Sequence, residues 1–523
     1  MAKLMANASA GSYRSVIVTA HREAGAAGVA AYKQGGNAID AAVAAAMVLC
    51  VVSPINVGLG GYGGTMVVYS GKTGRVRALD FDSRAPRAFR PEPYADPKVA
   101  LHGYLAVGVP GVVAGLDAAL KRFGTLDWGG VSTHAADLAE NGFAIPAALA
   151  SAFKSWAATA DQTSLEAIFP DRKIPTAGQT WRQPDLAKLI RALAADPRAF
   201  YTGEIAKQIM RQVQANGGLL AEEDFARYEV QETDPLKISY RGHDLYTPPP
   251  PSGGITTLGI LKTLENFDLP RYERWDGPYF DLFVEAAKLC WQDRVRWLGD
   301  PDFVKVPTDD LLSPKTAAGR AERIRSGDTT PPLNLPAPPG GEHTVNVVAA
   351  DAAGNCCSIT LTHGETFGSH VAIAGTGLFL GHGMSRFDYA PRHPNAPQPG
   401  KRMHHNMSPL LIFKNDKPLF ALGMPGGTKI VTVTAQLAIS LLDFGATPLE
   451  AARAPRVHVE AAEPIQTAAS VGEPIAGELE LMNHRVKRVP ALGGPANIAR
   501  IDPANHTITG ACSAGSDGVD GIQ

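Results

Sequence analysis

The sequence predicts an α+β fold in which layers of β-sheet are covered by helices, and three observations carry that expectation. Alanine-rich, breaker-poor stretches lie near the amino end, a mostly helical region runs from Gly111 to about Pro307, and strand-like alternation resumes at Thr344 behind a proline-rich stretch. Helices, strands, helices, then strands and helices again suit stacked layers better than a single alternating βα unit. No repeat period stands out.

Each element has a local reason. Residues 22–33 and 37–51 meet at Gly35, Gly36 and Asn37, which predicts two helices separated by a glycine stop, with Asp40 early in the second. After Pro54 comes the glycine-rich run 58–64, then a hairpin of residues 65–69 and 76–81 about a turn at 71–74. Helices are expected at 112–122, 128–141, 183–193, 205–215 and 280–297. The run PPPPSGG at 248–254 is too rigid and too rich in glycine for a helix or central strand, and reads as a turn or loop wall. Residues 327–341, rich in proline and threonine, read as a linker. Beyond it, 344–350 and 357–362 alternate as a strand pair about a turn at 351–355; 410–413 and 419–422 form another pair, and helices follow at 429–444 and 448–452.

Composition narrows the function classes. Hydrophobic residues make up 45% of the chain and charged residues 19%, which suits a globular protein and excludes a disordered or fibrous one. Lys and Arg total 49 against 51 Asp and Glu, so no overall basic field gathers nucleic acid or anionic lipid. Residues 1–14 lack a long apolar segment and the apolar stretch 41–52 is too short to span a bilayer; a cytoplasmic protein with no membrane partner is the expectation. Five cysteines, odd in number and without a CxxC pair, argue against a disulfide framework. Adjacent Cys356 and Cys357 would point to opposite faces of one strand and make a poor metal site.

The junction before Thr344 carries the chemistry. An accessible linker is where a backbone can be cut, and a threonine just past the cut holds both a hydroxyl and a free α-amino group, a nucleophile with its own base. On position alone the simpler reading of Thr344 is an ordinary β-branched residue opening a strand. A second feature is the run Gly423 to Lys429, which includes Gly426 and Gly427 and lies between a strand and a helix. Consecutive amide N–H groups in such a turn suit a developing negative charge, while a plain turn needing glycine for its dihedrals is the structural alternative. Gly58, Gly60 and Gly63 have GxGxxG spacing, but a strand follows where a dinucleotide site needs a helix.

Read together, the fragments GEHTVNVVAADAAGN, SITLTHGETFGS, GTGLFLGHGMSRFD, PGKRMHHNMSP and MPGGTKI, in this order from Gly341, resemble the γ-glutamyltransferase family of N-terminal nucleophile hydrolases. Toward the amino end GGNAIDAAVAAAMVL, GLGGYGG, LDFDSRAP and VGVPGVVAGL fit the same family, as does the closing GSDGVDG. The resemblance covers nearly the whole chain. It implies a four-layer αββα sandwich made as one precursor that cleaves itself between His343 and Thr344, giving a large subunit, 1–343, with its linker at about 327–343, and a small subunit, 344–523. These would stay intertwined as one domain, and a pair of such heterodimers is the mild expectation. It also implies Thr344 as nucleophile, Thr362 as the hydroxyl supporting it, and Gly426 and Gly427 as the oxyanion hole, with no cofactor.

Departures from the family pattern bear on the substrate. Asp82, with Arg84 two residues on, stands where typical members have an arginine holding the glutamyl α-carboxylate, and Arg386 stands where they have an aspartate holding the α-amino group. His405 and Asn406 replace paired serines, and Gly364 replaces an asparagine. An ammonium group beside Arg386 and a carboxylate beside Asp82 would each meet like charge. A small amide that carries a carboxylate and lacks the α-amino group, as in the oxamate-amidohydrolase branch, suits the planar fork of Arg386, or of Arg84. Alternatively Arg386 turns outward or pairs with Asp82 or Asp388. His343, His363, His370, His382, His404 and His405 cluster near this site, but no HExxH or His-x-His element accompanies them, so a pocket-lining role for His405 or His404 is expected and a metal is not. The function expected is a self-processing amidohydrolase acting on a small carboxylate-bearing amide, with γ-glutamyl hydrolysis or transfer, or a glutaryl-type acylase, as alternatives, and an uncleaved scaffold as the non-enzymatic one.

Overall fold

The computed structural model describes residues 12–328, 343–502, 504–505, 507–514 and 518–523. The linker expected at 327–341 lies almost wholly outside the described residues. Among the described residues, thirteen strands make two large antiparallel sheets. In chain order they are β1 (Ser15–Val18), β2 (Gly63–Ser70), β3 (Arg75–Asp80), β4 (Gln231–Thr233), β5 (Leu236–Tyr240), β6 (His243–Thr247) and β7 (His343–Asp351). They continue as β8 (Cys356–Gly364), β9 (Leu410–Lys414), β10 (Lys417–Gly423), β11 (Asn497–Asp502), β12 (Thr507–Cys512) and β13 (Val519–Ile522). The first sheet has the order β13-β1-β7-β8-β2-β3-β4 and the second β12-β11-β10-β9-β6-β5.

Alternation along the central strands explains the layering. Val16, Val18, Val348, Ala350 and Cys356 pack against Leu411, Phe413, Ala421 and Ala499 of the other sheet. Their neighbours Ile17, Val347, Ala349 and Cys357 face the opposite way, into a core shared with helices α1 (Arg22–Lys33) and α2 (Ala38–Val52). Cys356 and Cys357 thus lie on opposite faces, as period-two geometry requires. The outer face of the second sheet, with Tyr240, Leu245, Ile412 and Leu422, packs under α3 (Gly254–Leu264), α4 (Gly277–Trp297) and α5 (Lys429–Leu442). The result is the expected four-layer αββα sandwich. Burying one Val or Ile is worth about 1.5–3 kcal/mol, so a one-residue slip, which would exchange the two sets of side chains, is resisted along the whole strand.

Local chemistry sets the ends of these elements. Asn37 caps α2 through its side chain while Asp40 answers to the Asn37 amide, and Gly35 takes φ +87°, which explains the stop seen between the two helices. Asp40 also accepts from Thr125 N at 2.9 Å and Leu126 N at 3.0 Å, tying the start of α2 to a distant loop. Among the described residues no helix is long and apolar enough to cross a membrane.

The sheets interleave the two sides of the expected cut. β1, β2, β3 and β4, which precede His343, share the first sheet with β7, β8 and β13, and the second sheet joins β5 and β6 to β9 through β12 in the same way. Severing the chain between His343 and Thr344 would break one backbone bond and leave these ladders in place.

Candidate active site

β7 and β8 pair in register from Cys356↔Ala350 to Leu361↔Val345, and pairing resumes at Gly364↔His343. Two residues, Thr362 and His363, therefore oppose the single residue Thr344, which is a β-bulge. The bulge needs glycine at its end. Gly364 has φ +96°, and a Cβ there would lie 2.2 Å from His382 Nε2.

The bulge brings two hydroxyls and one peptide carbonyl together. Thr344 Oγ1 donates to Thr362 Oγ1 at 3.3 Å, and Thr362 Oγ1 donates to the His343 carbonyl at 2.5 Å. Gly364 N donates to Thr362 Oγ1 at 2.6 Å, which completes its hydrogen bonding and fixes its direction. Both threonines are buried, at 8% and 1% exposure, so their orientation is held by packing rather than by solvent. The pairing of Thr344 with Thr362 that the resemblance implies is thus a direct contact.

Gly426 meets Thr344 in the lining of a cavity of about 250 Å³, together with Asn56, Asn346 and Asn497. Gly426 has φ +143° and Gly427 φ +55°, and a Cβ on Gly426 would lie 2.5 Å from Gly493 Cα. The carbonyls of both glycines accept from the first turn of α5, from Lys429 N at 3.1 Å and Ile430 N at 3.2 Å. Their own amides donate to no backbone carbonyl among the described residues.

Arg386 lines a second, larger cavity of about 700 Å³, with Asn406, His404, Arg294, Trp291 and Thr428 among its walls. Arg386 Nη2 donates to the Gly364 carbonyl at 2.6 Å, so the guanidinium is one residue from the Thr362 hydrogen-bond cluster, and it pairs with neither Asp82 nor Asp388. Asn395 Nδ2 holds the Arg386 carbonyl at 2.7 Å. Tyr62, whose phenol burial pushes up to about 12, sits beside Arg386 and Thr362 and keeps its proton at neutral pH.

The structure brings only some of the expected substrate-binding residues to these cavities. Asp82 is buried at 1% exposure with His405 at 2%, and His405 Nε2 lies 2.6 Å from Asp82 Oδ2. The distance is that of an ion pair, but the contact misses hydrogen-bond geometry, and both side chains keep buried polar atoms without a hydrogen-bond partner. Burial pushes the Asp82 carboxyl up to about 6, and His405 draws it back toward the usual carboxylate range. Neither residue lines the two cavities, and neither does Arg84, whose Nη2 reaches the Glu229 carbonyl at 3.4 Å. The apparent exchange of charges between positions 82 and 386 is therefore one-sided. The carboxylate is matched by a histidine, and Arg386 alone faces a cavity.

Two contributors were not legible as site residues. Arg294, at 4% exposure, donates through Nη2 to the His405 carbonyl at 3.0 Å and to Asn406 Oδ1 at 2.8 Å, so it sets the irregular segment that presents Asn406. Its signal was an arginine on the apolar stripe of α4, in step with Phe283, Ala287 and Cys290. Asn56, between Pro54 and the glycine loop, carried no such signal.

Burial holds three of the clustered histidines neutral. Burial drives His363 down to about 3; it drives His382 to about 3 as well, helped by the Arg386 charge, and takes His404 well below its usual value. Among the described residues, the side chains that could jointly hold a metal are Asp281, Glu285 and His484, which line neither cavity. Lys288 already sits 2.5 Å from Glu285 and supplies a cation there.

The family model for gamma-glutamyltranspeptidase matches residues 24–520. The chain is 36% identical over 456 residues to a glutathione hydrolase proenzyme of Escherichia coli, covering 82% of this chain and 78% of the relative. It is 33% identical over 526 residues to an acylase ACY 1 proenzyme of a Pseudomonas species, covering 97% and 93%. The structure superposes on the crystal structure of a cephalosporin acylase from Bacillus halodurans with a TM-score of 0.89 at 27% identity, covering 98% of this chain and 96% of that one. The fold, the near-complete match and the likeness to both hydrolase and acylase proenzymes agree: this chain belongs to the γ-glutamyltranspeptidase family.

Proposed function

We propose that the chain is a precursor that cleaves itself between His343 and Thr344 and then hydrolyses an amide whose acyl part carries a carboxylate. The observation that supports the first half is the Thr362 hydroxyl, placed between the Thr344 hydroxyl and the His343 carbonyl. Thr344 Oγ attacks the His343 carbonyl carbon, its proton passes through Thr362, and the C–N bond breaks as the new amine leaves. Water then opens the ester, giving a carboxylate on His343 and a free α-amino group on Thr344. That amine, with a reference pKa of about 7.7–8.0, is the base for the next attack. In turnover Thr344 Oγ forms an acyl ester and expels the substrate amine, and water releases the acid. The amides of Gly426 and Gly427, which donate to no backbone carbonyl among the described residues, suit the oxyanion, worth about 3–4 kcal/mol per donor in comparable sites.

Arg386 supports the second half. It is a cation on a cavity wall, linked through Gly364 to Thr362, and its planar fork suits a carboxylate. An α-ammonium group beside it would meet like charge, and Gly364 offers no side-chain amide to such a group. A second reading has its own observation: Thr344 lines one cavity and Arg386 the other, and an acid that reaches from one to the other favours a longer, glutaryl-type chain such as an acylase would take.

Thr344→Ala should give one uncut polypeptide on a denaturing gel and no hydrolysis; two fragments from that variant would sink the proposal. With the processed protein, oxamate-like and glutaryl amides should be turned over and a γ-glutamyl anilide should react at least tenfold more slowly in kcat/KM. Preference for the γ-glutamyl compound would overturn the assignment of Arg386.

A further inference from the structure

Resting on the self-cleavage reading above, we infer that Asn56 is a positioning residue for maturation, holding the residue before the cut by its imidazole while Thr362 holds it by its carbonyl. His343 Nδ1 and Asn56 Oδ1 are 3.0 Å apart. Asn56 Nδ2 donates to Ser53 Oγ at 2.7 Å, which leaves Oδ1 as the acceptor facing the ring and requires the proton on His343 Nδ1.

The amide is anchored on both sides. Asn56 N donates to the Ser53 carbonyl at 2.9 Å at the end of α2, and its own carbonyl accepts from His363 N at 2.9 Å. His363 follows Thr362 in the bulge, so one short backbone link sets the distance between the group that holds the His343 ring and the group that polarises the His343 carbonyl. Asn56 also lines the cavity that Thr344 shares with Gly426. Two contacts on one residue fix both the position and the rotation of the carbonyl plane, and attack by Thr344 Oγ depends on that rotation.

The grip belongs to the precursor, because cleavage turns His343 into a chain end.

The test is the rate of maturation of the full chain, pulse-labelled in cell-free translation and followed on a denaturing gel. Asn56→Ala and His343→Ala should each slow cleavage roughly tenfold, which is about 1.4 kcal/mol. The double variant should be no slower than either single one, since both remove one contact, and Asn56→Asp, which keeps an acceptor oxygen, should cleave near the wild-type rate. Cleavage of either single variant at the wild-type rate, or a double variant slowed by the product of the two effects, overturns the inference. Melting temperatures on the uncleavable Thr344→Ala background separate lost positioning from lost folding. Absence of fragments from the wild type would defeat the self-cleavage reading itself, which is a different failure.

Discussion

At the scale of single residues the clearest constraint is the fit of Gly364 against His382. The positive φ at Gly364 disfavours any side chain, and the His382 ring occupies the space a Cβ would need. Gly364→Asn should cost about 3 kcal/mol, from backbone strain and overpacking together, read as a lower urea midpoint with an unchanged slope. Adding His382→Ala removes that ring but leaves the backbone strain and the Tyr62 ring, whose Cε1 would lie 2.6 Å from the Cβ, so it should recover less than half. A Gly364→Asn variant as stable as the wild type would show that the ring moves aside freely. Thr344 and Gly426 were legible as candidates because a linker-to-strand junction and a strand-to-helix turn leave local marks, whereas Thr362 entered only through the family resemblance. Asn56 and Arg294 were not, because each acts through a partner far away in the chain: His343 for one, the His405 carbonyl for the other.

At the scale of elements, α4 carries a charged network that has nothing to do with the candidate site. His484 sits between Asp281 at 2.8 Å and Glu463 at 2.6 Å, and Lys288 bridges Glu285 and Glu463. Burial alone would lower the His484 pKa, but its bonds to Asp281 and Glu463 outweigh that and raise it to about 9. A histidine raised above its unfolded value stabilises fully below about 6.5 and loses that contribution as pH rises through about 9. His484→Gln should therefore destabilise by about 2 kcal/mol at pH 7, discounted for the half-exposed Asp281, and the deficit should shrink toward pH 10. An equal deficit at both pH values would place the effect in packing instead. The helices at 112–123 and 128–141 were legible from periodicity, whereas α3 was not, since its residues are buried on nearly every side and show no polar face. The β5–β6 hairpin was missed for another reason. Its turn, Arg241–Gly242, has positive φ at both residues, and Arg241 tolerates this because Asp443, Glu265 and the Phe267 carbonyl hold it.

For the whole molecule, the neutral histidines set the response to acid. His363 and His382, both lowered to about 3 by burial, bind fewer protons folded than unfolded, so their contribution is fully present above about pH 6.5 and is lost as pH falls toward 3. Each acts with a slope of up to about 1.4 kcal/mol per pH unit. Asp82, raised to about 6 by burial, acts oppositely, favouring the folded state at low pH and losing that as pH rises. His370, lowered to about 4, and His404 act with the two histidines while the raised Asp224 and Asp443 act with Asp82; the larger histidine shifts give a net fall in stability on acidification, so the denaturant midpoint should drop steadily between pH 6.5 and 4.5. His363→Gln should flatten that slope, and a midpoint constant over the range would contradict the assignment of neutral buried rings.

The αββα order came from the family resemblance, but local pattern in the amino-acid sequence was enough to predict sheet layers covered by helices and the candidacy of Thr344. Those features depend on period-two and period-3.6 burial and on turn chemistry, which short segments carry. Only the tertiary structure decided that Asp82 is matched to His405 while Arg386 faces a cavity, and that Asn56 holds His343. A charge read along the chain has no direction or partner. Packing supplies both, by burying one group beside a histidine more than 300 positions away and leaving the other on an open wall.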